Sequence, residues 1–230
     1  MSSAHLTPRS PHDRPALAEP TAAKPDTVAD LLRRLGGVPA HRVRLVPTPG
    51  TATEDDLVTY NESQTRGAFC ELVEGTLVEK PVGYEEAEVA SLIIRAVANF
   101  VYPRNLGRVL APDGMLRLFP GLVRAPDVTF ISYARFPRKN PPKGAIAPFP
   151  ADLAVEVLSK SNTKKEMEKK RREYFGAGTH VVWMVDPKKK TIQVYTSLTE
   201  FTSLSIDDTL DGGAVLPGFQ APIRDLFPLD

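Results

Sequence analysis

Asp152-Leu153-Ala154-Val155-Glu156-Val157-Leu158 decides the fold of this chain. The stretch is almost continuously apolar and is broken by one Glu, the pattern of a central strand covered on both faces. The segment 163–177 follows with helix signals at both ends. Thr163 and Glu166 stand at capping-box spacing, and Gly178 lies just past the end. Two further runs, 181–185 and 191–196, flank Asp186-Pro187-Lys188-Lys189-Lys190 and predict a hairpin. Residues 201–206 add an edge strand, and the end of the chain packs back on the domain.

Upstream, 125–132 predicts a strand, and 108–111 with 115–119 predicts a strand pair around Asp113-Gly114. Val89, Leu92, Ile93, Ala96, Val97 and Phe100 recur at three- and four-residue steps, so 84–102 predicts a long amphipathic helix. Residues 69–74 and 76–81 flank Gly75 as a hairpin. A short helix opens at Thr53 with Glu54, Asp55 and Asp56 in its first turn. Another covers 27–35 and stops at Gly36-Gly37, and Pro47-Thr48-Pro49-Gly50 reads as a linker. The segment 135–151, rich in proline and basic residues, reads as a surface loop. Strands and helices interleave without strict alternation, which predicts an α/β fold: a mixed sheet with helices on its faces.

The organisation expected is a disordered tail over 1–25, a short helix and linker over 26–52, and one domain over 53–230. The tail is Pro-, Ala- and Ser-rich, with too little apolar surface to offset the entropy of ordering. The 230 residues are 42% apolar and 25% charged, ordinary values for a globular chain. A single cysteine, Cys70, excludes an intramolecular disulfide, and the four scattered histidines argue against structural zinc. No apolar run approaches a membrane span, and the first 25 residues lack the apolar centre of a secretory signal, so a cytoplasmic location is expected. The net charge of +1 does not mark a nucleic-acid binder, so any such role rests on local patches.

Three residues carry candidate chemistry. Glu156 shares a strand face with Ala154 and Leu158, and an unpaired carboxylate there is costly. A cation, a metal or a hydrogen-bond network must compensate it, unless it is simply a strand-end Glu in a structural salt bridge. Asp127 precedes an apolar strand and follows Pro126. It could meet a carboxylate on a neighbouring strand to make an oxygen site for Mg²⁺ or Mn²⁺, but Pro-Asp is also ordinary turn chemistry. Lys170 lies on one helical face with Met167 and Tyr174, which points it at the sheet. It could equally snorkel past them.

The order of these pieces resembles the PD-(D/E)XK nuclease superfamily and, within it, the Uma branch of restriction-endonuclease-like proteins. The resemblance is carried by Phe69-Cys70-Glu71-Leu72-Val73-Glu74-Gly75, Ala125-Pro126-Asp127-Val128, Val155-Glu156-Val157-Leu158-Ser159, Lys170 to Tyr174, Gly178 and Val182-Trp183-Met184-Val185-Asp186-Pro187. It spans about residues 53–228. It implies a restriction-endonuclease-like fold and a Mg²⁺- or Mn²⁺-dependent endonuclease acting on DNA, with Asp127, Glu156 and Lys170 catalytic. Leu158 stands where the superfamily motif has its Lys, and Lys170 takes the place of the helix-borne Lys of the Uma branch. Many members carry a His at the start of the long helix. Here Glu85 and Glu86 stand there, which makes Glu86 a candidate third metal ligand beside Asp127 and Glu156. Arg135, Arg138, Lys139 and Lys143 in the basic loop are candidate contacts to the nucleic-acid backbone. Cutting two strands needs two sites, so a homodimer is a further expectation. The rival reading is a catalytically silent nucleic-acid- or protein-binding module on the same fold.

Overall fold

The structure is a computed structural model, and it describes residues 25–63, 69–81, 83–136, 138 and 141–228. The tail expected over 1–25 therefore lies outside the described residues except for Pro25.

In chain order the elements are α1 (Val28–Arg34), α2 (Glu54–Ser63), β1 (Cys70–Val73), β2 (Thr76–Glu79), α3 (Tyr84–Val101), β3 (Gly107–Leu110), β4 (Met115–Phe119), β5 (Leu122–Arg124) and β6 (Val128–Ser132). They continue with β7 (Ile146–Ala147), β8 (Leu153–Val157), α4 (Lys164–Ala177), β9 (Val181–Asp186), β10 (Thr191–Tyr195), β11 (Phe201–Leu204), β12 (Thr209–Asp211) and β13 (Gln220–Pro222). Short 3-10 turns occupy Ala40–Arg42 and Ile223–Leu226. No helix among the described residues is long and apolar enough to cross a membrane.

The strands divide into a six-stranded sheet, β11-β10-β9-β8-β6-β3, a five-stranded sheet, β2-β1-β5-β4-β7, and the β12–β13 pair. β8 runs antiparallel to β6 and parallel to β9, with α4 as the crossover between β8 and β9. All five β8 residues are buried, as a continuous apolar run requires. One face of the large sheet packs on α3: Val89, Ile93, Val97 and Val101 meet Val128, Phe130, Val155 and Trp183. The other face packs on α4 and the smaller sheet, through Ala154, Val182, Met184, Tyr174 and Leu116.

α4 begins and ends where its caps dictate. The Thr163 hydroxyl accepts from Glu166 N at 3.0 Å, Glu166 returns the bond to the Thr163 backbone, and Gly178 closes the helix with φ of 99°.

Two expectations are corrected. The strands around Asp113-Gly114 do not pair with each other. β3 pairs with β6 on the edge of the large sheet, whereas β4 pairs with β5 and β7 in the small one. The turn itself exists, with Gly114 N donating to Ala111 O at 2.9 Å. Its arms part because they fill different cores: Val109 packs with the α3 cluster, and Met115 packs with Leu57 and Leu72. The second correction concerns 135–151. Phe136, Ala147 and Ala151 are buried, and β7 lies parallel to β4, so this segment is part of the packed structure.

The N-terminal segment is also docked. The Arg42 guanidinium reaches Glu166 Oε1 at 2.7 Å with both side chains buried. Gly50 and Ala52 each donate a backbone hydrogen bond to Gly75 O at 2.8 Å.

Candidate functional site

Asp127 and Glu156 meet because of strand register. Val128 pairs with Val155 across β6 and β8, and the next step outward sets Asp127 beside Glu156. Asp127 N donates to Val155 O at 2.9 Å, and Val157 N donates to Asp127 Oδ2 at 2.8 Å. Alternation puts Glu156 on the face of Ala154, opposite the α3 core, with α4 above it.

Lys170 points inward, as its place between Met167 and Tyr174 on the helix face requires, and its side chain is 1% exposed. Its ammonium donates to Glu156 Oε1 and Oε2 at 3.1 and 3.0 Å and to Glu71 Oε1 at 3.2 Å. The Tyr174 hydroxyl also donates to Glu156. Behind this group, Arg124 donates to Glu71 Oε2 at 2.8 Å and lies 2.7 Å from Glu173. The charges therefore alternate through the interior: Glu156, Lys170, Glu71, Arg124, Glu173.

These contacts set the proton affinities. Burial pushes the Glu156 carboxyl up, and the neighbouring Asp127 and Glu71 charges add to that, against the pull of Lys170. Burial also works against Glu71, but Lys170 and Arg124 outweigh it and hold its carboxyl well below the usual range. Burial disfavours the Lys170 ammonium, yet Glu156 and Glu71 hold it protonated, above its ordinary value. Tyr174 is raised by burial and by the same two carboxylates, so its hydroxyl stays a donor.

The other side of Asp127 is open. A cavity of about 170 Å³ is lined by Lys80, Glu86, Asp113 and Asp127, with Phe69 and Ala90 among its apolar walls. Asp127 is 18% exposed there, against 5% for Glu156. Lys80 Nζ lies 3.1 Å from Asp127 Oδ1 and donates to Pro112 O at 3.0 Å and to Ala125 O. Three carboxylates against one ammonium leave this mouth negative, an environment that draws cations.

The donor set suits a hard divalent ion, which takes carboxylate oxygens. Asp127 and Glu156 stand side by side, and Glu86 lines the same cavity as Asp127, with its carboxylate lying against Gly83. Among the described residues no three such side chains already form a metal cage. Glu86 would close on the pair from the first turn of α3.

The expected backbone contacts separate. Arg135 is turned inward, donating to Asp152 Oδ1 at 3.0 and 2.8 Å and to Gly178 O at 2.9 Å. The Arg138 guanidinium lies over the Tyr133 ring, 5.7 Å from its centroid. Lys143 is exposed, and Lys139 lies outside the described residues.

Sequence reasoning did not single out Glu71, Arg124, Lys80 or the Tyr174 hydroxyl. The argument that flags Glu156 applies equally to Glu71, a lone carboxylate between Cys70 and Leu72 in a strand buried along its length. Arg124 and Lys80 carry no comparable signal, since one cation beside a strand end usually reaches water.

The sequence profile of the family Uma2, described as "Putative restriction endonuclease", matches residues 56–224. No curated protein matches the chain. A crystal structure described as "a putative nuclease belonging to DUF820 from Anabaena variabilis" superposes with a TM-score of 0.63 at 20% identity. The match covers 74% of this chain and 96% of that one, and it shows a shared mixed α/β, nuclease-like fold.

Proposed function

The chain belongs to the Uma2 family, and from that premise we propose that it is a divalent-metal-dependent endonuclease that hydrolyses phosphodiester bonds in DNA. The observation that carries the reading is the Asp127–Glu156 pair, set side by side by strand register with one carboxylate facing an open, negative cavity.

In this reading Asp127 and Glu156 would hold Mg²⁺ or Mn²⁺, with Glu86 as the third donor. The ion, when bound, supplies a water of lowered pKa and stabilises charge on the phosphate. The rest falls to the chain itself. Lys170 and Tyr174 fix the Glu156 carboxylate from behind, so that its orientation survives substrate arrival. Lys80 is the ammonium that borders the cavity; its N–H groups are held by Asp127, Pro112 O and Ala125 O, so it would stabilise the negative charge growing on a phosphate there through its field and not by a direct hydrogen bond. Lys170 acts through Glu156, and its positive charge lowers the cost of two carboxylates standing together.

One observation favours a binding module without catalysis: both Glu156 oxygens already accept from Lys170, and one also accepts from Tyr174. Mn²⁺ titration separates the two readings, because the silent module need not bind the ion. The direct test is cleavage of plasmid and single-stranded DNA with Mg²⁺ or Mn²⁺. Wild type is compared with Asp127→Ala, Glu156→Ala, Lys170→Ala and Lys80→Ala, each checked for folding. Loss of cutting in the folded variants supports the nuclease. A wild type that cuts nothing, or variants that cut as well as it does, would end it.

A further inference from the structure

The Asp113–Gly114 turn separates two cavities of opposite character. Asp113 lines the carboxylate cavity, while Gly114 and Met115 line a second one of about 460 Å³. That volume lies within the roughly 300–1,000 Å³ of typical small-molecule sites. Its walls are apolar: Leu110, Met115, Ile131, Phe136 and Phe149 contribute. The Phe136 and Phe149 rings stack 5.3 Å apart at an interplanar angle of 9°. The polar groups are of one sign. Arg108 lines the cavity, is exposed, and makes no ion pair among the described residues. Lys143, also exposed, stands between Pro142 and Gly144, which line the cavity too. None of the described lining residues is a carboxylate.

We propose that this second cavity receives an unstacked nucleobase of the strand being cut, with Arg108 pairing the attached phosphate. The inference rests on the nuclease reading and deepens it by naming the state of the substrate. A flat aromatic ligand finds apolar walls and two stacked phenyl rings, and its phosphate finds a guanidinium with no competing carboxylate. The neighbouring phosphodiester then lies across the Asp113–Gly114 turn, toward Asp127. A base can enter only where it has left a duplex, so the preferred substrate is single-stranded or locally opened DNA.

The test is fluorescence anisotropy on the full chain in EDTA, which separates binding from cleavage. The probes are a short labelled single strand, the same strand as duplex, the same strand with every base removed, and free deoxyadenosine monophosphate. The expected order is single strand tighter than duplex and tighter than the abasic strand. The mononucleotide should bind weakly but measurably. Arg108→Glu and Phe149→Leu, both confirmed folded by circular dichroism, should each weaken single-strand binding about tenfold. Equal affinity for intact and abasic strands overturns the proposal, as does unchanged binding in both variants. Cleavage is scored separately. If the strand binds as described but wild type cuts nothing with Mg²⁺ or Mn²⁺, the base site stands and the nuclease reading fails. If both variants cut single-stranded DNA as fast as wild type, the base site fails and the nuclease reading stands.

Discussion

The two sides of the Asp127–Glu156 pair are built on opposite terms. Behind it, Lys170, Glu71, Arg124 and Glu173 form an interior row in which each charge touches its opposite. In front, Asp127, Glu86 and Asp113 share a cavity with one ammonium, from Lys80. A buried charge must be paired where it stands, so the rear side tolerates little change. Asp127, Glu86 and Asp113 border open space, so on the proposed reading the front side is where a cation and a phosphate would arrive. On the proposed reading, the difference divides stability from chemistry.

The sharpest way to break this contrast is Lys170→Met. It leaves Glu71 and Glu156 buried without their shared cation and should cost about 3–5 kcal/mol in urea denaturation. Asp127→Asn keeps an oxygen for Val157 N but removes the charge that pairs the buried Lys80 ammonium, which still donates to Pro112 O and Ala125 O, so it should cost less, about 1.5–3 kcal/mol. Equal losses would dissolve the distinction.

Acid should expose the next largest effect. Burial raises Glu71 and Glu166, but their cations outweigh it and hold both below the ordinary carboxylate range. The folded chain therefore binds those protons less tightly than the unfolded chain. Their contribution is complete above about pH 4.5 and is lost as pH falls through the lowered folded values. Glu156 is raised and runs the opposite way, gaining from protonation as pH falls. The Glu156 gain is complete by about pH 4.5, and below that the lowered carboxylates, Glu74 among them, set the slope alone, so the urea midpoint should fall from about pH 4.5 to about pH 3. Glu166→Gln should flatten that slope, and an unchanged slope would remove Glu166 as a cause.

Tyr174→Phe removes one buried donor to Glu156 and should cost about 1–2 kcal/mol. Glu86→Gln should change stability by less than about 0.5 kcal/mol while weakening Mn²⁺ binding in a calorimetric titration. Undiminished Mn²⁺ affinity would exclude Glu86 from the ligand set.

The parts of this arrangement that sequence could supply are those fixed by local pattern. Glu156 stands out because it interrupts an apolar strand, and Lys170 because its helical face is apolar. Both ends of α4 are written in its caps. Pairing partners are a different matter. Nothing local tells that Arg124 finds Glu71 and Glu173, or that Lys80 finds Asp127, since these contacts bring separate strands and a helix together. The arms around Asp113-Gly114 look like a hairpin for the same reason: turn chemistry reports the turn but not the sheet each arm joins. β7 escaped because two residues are too few to carry a period.

Glu166 also bears on how the chain may be shortened. It caps α4 and pairs with Arg42, while the Thr163 hydroxyl donates to Gly36 O at 2.9 Å. Gly36 has φ of 87°, and a Cβ there would lie 2.9 Å from the Glu166 Cα, so α1 approaches the start of α4 through a position that admits no side chain. A truncation beginning at residue 53 would strip the guanidinium from a buried carboxylate at the first turn of the helix that carries Lys170. Limited proteolysis of such a fragment should cut first in α4, whereas the full chain should resist there. If it does, the smallest autonomous unit starts upstream of Arg42, with the first helix clasping the start of α4.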